Sequence, residues 1–176
     1  MTTTAGLTWA VKESLVTYVE GLADGMVDTL APASRTADGF WFPLSAEDPG
    51  PAAGHPRSAW QFLGTVRLSG HWGALDVELR DPRVEFGGGH GTLLIRERGG
   101  RDADARLPLA DLVPGGPAAA GDGKPAGVGM STLELAASLT GHGRLLLGGQ
   151  YGVGEPLSTL RVSIPARDLA ILGGDG

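Results

Sequence analysis

The sequence predicts an α+β fold that is mainly antiparallel β, with β-sandwich-like sheets and a short N-terminal helix carrying Tyr18. Three observations point there. One stretch near the N-terminus has the helical period. Most later apolar segments are short, and the clearest of them alternate with period two. The 30 Gly and 12 Pro among 176 residues supply the turns that many short strands need. The length suits a single domain over 1–176, and no tandem repeat is visible.

The helix is expected over residues 8–22. Thr8 can serve as N-cap, and Val11, Leu15, Tyr18, Val19 and Leu22 share one face. Gly21 or Gly25 can end it. This pattern points Tyr18 towards the core, with Ser14 one turn before it. The period then changes to two. Gly39–Pro43 is a short aromatic strand, and 60–70 and 73–80 are strands joined by a hairpin-like Gly70-His71-Trp72-Gly73 connection. Leu75, Val77 and Leu79 alternate with Asp76, Glu78 and Arg80, so the two acids are read as a solvated face. Asp81-Pro82 makes a turn and Val84–Phe86 begins another strand. Gly87–Gly89 turns into a strand over Thr92–Arg98, and Leu133–Leu139, Leu145–Leu147 and Leu157–Ile164 complete the sheets. Residues 45–57 and 114–127 are Pro/Gly-rich and read as surface loops, the second a flexible one.

Composition excludes several functions. Without cysteine there is no disulfide framework, thiolate metal site or cysteine nucleophile. A net charge of −6 argues against nucleic-acid binding, which draws its affinity from cations set against phosphates. No apolar run is long enough to span a bilayer, so no membrane insertion is expected. Met1–Gly6 lacks the cationic and apolar regions of a secretion signal. Read as given, the chain is expected to be cytoplasmic; as a trimmed mature form it would be extracellular or at the cell surface.

Catalytic signatures are weak. Ser131 and Ser138 lie in no G-x-S-x-G elbow. The Gly87–Gly91 run is followed by no Lys-Ser/Thr pair, and a hairpin turn explains it. His55, His71, His90 and His142 show no paired ligand spacing, so a dedicated zinc site has no support. His71 stands out because it caps a turn between strands with buried faces, which suits a structural histidine as well as a functional one. A tyrosine such as Tyr18 can pack its ring and satisfy its hydroxyl, or its phenol can act as a ligand. The residues alone leave both readings open.

Three separated blocks carry a resemblance. Gly6-Leu7-Thr8-Trp9-Ala10-Val11-Lys12-Glu13-Ser14-Leu15 followed by Tyr18 resembles the opening of the HtaA-type haem-binding domain of bacterial haem-uptake systems. Phe62 to Asp76, with Gly70-His71-Trp72-Gly73 inside it, and Asp81-Pro82-Arg83-Val84 are similar to its central block. Leu139-Thr140 through Gly148-Gly149-Gln150-Tyr151 and Gly154–Leu157 are similar to its closing one, with Gln150 where the family often has an aromatic residue.

The resemblance implies a non-enzymatic module that binds haem b in the ferric state, for transport, trafficking or buffering. In its terms Tyr18 is the axial ligand to the haem iron, His71 supports it, and Tyr151 is a further pocket residue. Ser14, Phe42 and Trp72 are expected around the porphyrin, with Phe40 and Leu15 as further wall candidates. The chemistry is coherent. A free phenol has a pKa of about 10, ferric iron favours its ionised form, and a nearby imidazole can orient it. Partners are then haem and other haem-uptake or trafficking proteins, with a homodimer admitted. Two rival readings are a haem-free interaction module of the same β fold and a haem-dependent peroxidase-like enzyme.

Overall fold

The computed structural model describes residues 4–46, 58–87, 89–99, 102, 105–115 and 130–165. The elements are β1 (Gly6–Trp9), α1 (Glu13–Gly21), β2 (Met26–Leu30), β3 (Ser34–Thr36), β4 (Gly39–Pro43), β5 (Ser58–Gln61), β6 (Thr65–Gly70), β7 (Leu75–Arg80), β8 (Arg83–Gly87), β9 (His90–Arg96), β10 (Arg106–Pro114), β11 (Met130–Leu139), α2 (Gly141–Leu146) and β12 (Pro156–Pro165). They form a nine-stranded sheet, β3-β4-β1-β12-β11-β10-β9-β8-β5, and a three-stranded sheet, β2-β6-β7. The antiparallel, β-dominated class expected from alternation is the class observed. His55 and nearly all of the expected 45–57 and 114–127 loops lie outside the described residues.

The long sheet curls. The chain after β4 pairs with the chain after β5 through Leu63 N–H to Pro43 O (2.9 Å) and Ser45 N–H to Gln61 O (2.7 Å). Its concave side is filled by Leu7, Trp9, Phe40, Phe42, Phe62 and Leu135, all essentially without solvent contact. This core is continuous with Val66, Leu68, Val77 and Leu79 of the small sheet. The chain crosses between sheets at two neighbouring points. There Asp81 N–H donates to Gly64 O (2.8 Å) and Gly64 N–H to Asp81 Oδ1 (2.9 Å).

Four expectations need correction. Residues 6–9 are a strand and the helix begins only after Lys12. Leu7 and Trp9 share one face of β1 between β4 and β12, and burying both outweighs the helical spacing that continues from Val11. Val11 then takes a left-handed φ of 62°, which ends the strand. Leu145–Leu147 is not a strand, because Thr140 caps α2 there by accepting from Gly143 N–H (2.9 Å). Gly143 also lets α2 pass close over β10, since a Cβ would stand 2.1 Å from Leu109 O. The single strand expected over 60–70 is two strands in different sheets. Finally, β2, β3 and β10 have no counterpart among the strands expected from pattern. Among the described residues, no helix is long and apolar enough to cross a membrane.

The outer face of the small sheet is a ladder of charges. Arg67 donates to both oxygens of Asp76 (3.0 and 3.2 Å) and Arg98 to Asp76 Oδ2 (2.8 Å). The Arg67 and Arg98 hydrogen bonds hold the Asp76 carboxyl below its ordinary range. Asp76 and Glu78 are thus the polar face expected, but paired rather than merely solvated.

Candidate functional site

Helix α1 buries Leu15, Val16 and Val19 against the sheets. Tyr18 lies at the margin of that stripe, about 100° around the helix from Val19. Its side chain therefore leaves the core, and the residue is 44% exposed, not directed inwards as the periodicity suggested. The helix gives Tyr18 a firm base while the phenol faces outwards.

The second group comes from the β6–β7 hairpin. Its tip, His71–Gly73, is a single 3-10 turn, with His71, Trp72 and Gly73 all left-handed (φ 51°, 56° and 92°). Only one of the three is glycine, so the conformation must be held from outside the turn. The hold comes from Asp24, in the corner between α1 and β2. Its Oδ1 accepts from His71 N–H (3.2 Å) and its Oδ2 from Trp72 N–H (2.5 Å). The corner itself is tight: Leu22 N–H donates to Val19 O (3.1 Å). A Cβ on Gly25 would lie 1.7 Å from that same carbonyl oxygen.

With both supports in place, Tyr18 Oη and His71 Nε2 are 2.5 Å apart, across 53 residues of sequence. Their ring centroids are 5.7 Å apart and the planes are inclined by 44°. The phenol donates when Nε2 carries no proton, and a phenolate accepts when Nε2 does. The pair can thus present an oxygen donor at the surface with a base already in contact with its proton.

The other expected site residues fall in different places. Ser14 is exposed on α1, one turn before Tyr18. Trp72 adjoins His71 and is 90% exposed. Tyr151 is half-buried after α2, with Lys12 Nζ 5.0 Å above its ring. Lys12 also pairs with Glu155 at 3.0 Å, tying the start of the Tyr18 helix to the Tyr151 segment. Phe42 does not line the site. It is completely buried on β4, opposite Leu7, because the concave face of the long sheet claims alternate residues there. Phe40 and Leu15 are likewise core residues. Asp24 was absent from the expected set. The signal for it was Ala23-Asp24-Gly25, a turn sequence directly after the helix.

A shallow open groove lined by Thr8, Asp38, Glu134, Thr159 and Arg161 shares no residue with the pair. Among the described residues, no three His, Cys, Asp or Glu side chains converge as a metal-ion ligand set.

A family model described as Htaa matches residues 4–163. The N-terminal domain of HtaA from Corynebacterium glutamicum is similar in structure, with TM-score 0.67 and 23% identity over 93% of this chain and 98% of that one. The heme binding protein HtaB of the same organism gives 0.65 and 22%, over 92% of each chain. The C-terminal domain of HtaA gives 0.65 and 18%, over 90% and 94%. At these identities the likeness is one of fold. No curated protein matches in sequence.

Proposed function

The chain belongs to the HtaA family, and from that premise we propose that it binds ferric haem b, with Tyr18 as the iron ligand and His71 as the ligand's hydrogen-bonding partner. The observation that carries this reading is the exposed phenol oxygen held 2.5 Å from an imidazole nitrogen. One hard oxygen donor is a poor site for a bare metal ion but suits an iron whose equatorial positions a porphyrin already fills. When bound, haem supplies a Lewis-acidic ferric centre that favours the ionised phenol. His71 takes up the phenolic proton or returns it, and it fixes the direction of the Oη lone pairs. Trp72, exposed beside His71, offers an apolar surface to a flat ring system. Ser14, on the Tyr18 helix and exposed, offers a hydroxyl to a polar edge. Tyr151, in the segment that Lys12 ties to the start of α1, is the further pocket residue in this reading.

The surface position of the site supports a role in binding haem and handing it over to other haem-uptake or trafficking proteins. The similarity to a heme binding protein of the same fold supports the same reading. The test is a hemin titration of the wild type and Tyr18→Phe. The wild type is expected to give a shifted Soret band with phenolate-to-iron charge-transfer absorption, which the variant lacks. A flat wild-type titration would leave a haem-free interaction module as the better account, and identical haem-bound spectra for both proteins would exclude Tyr18 as the ligand.

A further inference from the structure

We propose that Asp24 is the positioning residue of the Tyr18–His71 pair: its carboxylate grips the hairpin tip so that His71 Nε2 meets Tyr18 Oη. The proposal rests on the reading of that pair given above, and it assigns the part of the site that decides its geometry.

Three observations carry it. His71 and Trp72 both adopt left-handed backbone conformations, which side-chain-bearing residues hold only where the surroundings impose them. The two amides of that strained turn converge on the two oxygens of a single carboxylate, a charge-assisted arrangement stronger than neutral hydrogen bonds. Lastly, Asp24 follows the helix that carries Tyr18, in a corner with no spare room at Gly25. The carboxylate therefore spans the same gap, between α1 and the hairpin, that the phenol and imidazole span. Without it the tip has a lower-energy backbone open to it, and His71 would turn away from the phenol.

Two readouts separate positioning from a merely structural cap. The first uses haem-free protein and compares the His71 ring signals by carbon–proton NMR with those of Tyr18→Phe, which shows the unpaired ring. Asp24→Ala is expected to move the His71 signals towards the Tyr18→Phe positions, with the amide spectrum of the two sheets retained. Asp24→Asn, which keeps the shape and one acceptor, is expected to move them part of the way. If Asp24→Ala does not fold, Asp24→Asn decides alone. Wild-type His71 signals in a folded variant would overturn the proposal.

The second readout is hemin dissociation. It is expected to quicken by roughly tenfold in Asp24→Ala, but not further when His71 is already alanine, because the two changes act through one contact. Full additivity of the two would overturn the proposal. Asp38→Asn, an acid removed from the exposed β3–β4 turn, is expected to behave as wild type in both readouts. A protein that binds no hemin would sink the functional reading, while the NMR comparison would still decide the role of Asp24.

Discussion

Replacing His71 by alanine removes the hydrogen-bond partner that Tyr18 Oη has in the structure and leaves the phenol itself in place. His71 is exposed at the hairpin tip, so the change opens no core cavity. The cost to folding is then that of one intramolecular hydrogen bond, about 0.5–1.5 kcal/mol. For a chain of this size that lowers Tm by roughly 1–6 °C. The cost to haem binding is larger, because loss of an outer partner of a metal ligand weakens binding by about 10–100-fold, or about 1.4–2.7 kcal/mol. The assay pairs thermal melts of haem-free protein with hemin dissociation into an excess of a haem-scavenging globin at neutral pH. Folding and binding should separate, with a melt lowered by no more than those few degrees and a much faster release. A dissociation rate within a factor of about two of wild type would refute the idea that His71 tunes the ligand. A melt lowered well beyond the range expected from one hydrogen bond would assign the histidine to folding instead.

Phe42→Ala is expected to act in the opposite sense. Its fully buried ring leaves a cavity costing about 3–5 kcal/mol, so Tm should fall by roughly 6–20 °C, with the spectrum of any hemin complex unchanged in form. A shifted spectrum with an unchanged melt would return Phe42 to the pocket. The Asp76 carboxyl, lowered first by the Arg67 hydrogen bond and then by that from Arg98, makes a signed pH prediction. A carboxyl depressed in the folded state stabilises above its unfolded pKa of about 3.9 and loses that contribution as pH falls through the lower folded value. The Tm gap between wild type and Asp76→Asn should therefore be widest near pH 7 and shrink by pH 3. A gap independent of pH would show that the pairing contributes nothing through ionisation.

Much of the scaffold was legible because its signals are local. The alternation through Leu75, Val77 and Leu79 corresponds to β7, and Gly39–Pro43 to β4. The Gly70–Gly73 connection is the tip of the β6–β7 hairpin. Elements decided by distant partners were misread. Residues 6–9 run directly into the helical spacing of Val11, Leu15 and Val19, yet pairing on both sides with β4 and β12 makes them a strand. Edge strand β2 alternates between exposed and half-buried positions, but its apolar Met26 and Leu30 stand on the exposed side, so its sequence lacks the apolar/polar alternation that marks a strand. The three leucines at 145–147 are expected as strand, but so short an apolar run does not fix its own period, and with the Thr140 cap Leu145 and Leu146 end α2 while Leu147 is its C-cap.

The site divides along the same line. Short-range pattern is enough to put a tyrosine on a helix and a histidine at a hairpin tip, and resemblance to the HtaA family marks them as a pair. That Tyr18 faces outwards, that Phe42 belongs to the core and that Asp24 bridges helix and hairpin emerges from the folded arrangement alone. The reason is physical. Periodicity records which way a side chain turns relative to its own helix or strand, whereas a 2.5 Å contact across 53 residues depends on how two elements are docked. That docking is set by buried side chains and by one carboxylate binding two backbone amides.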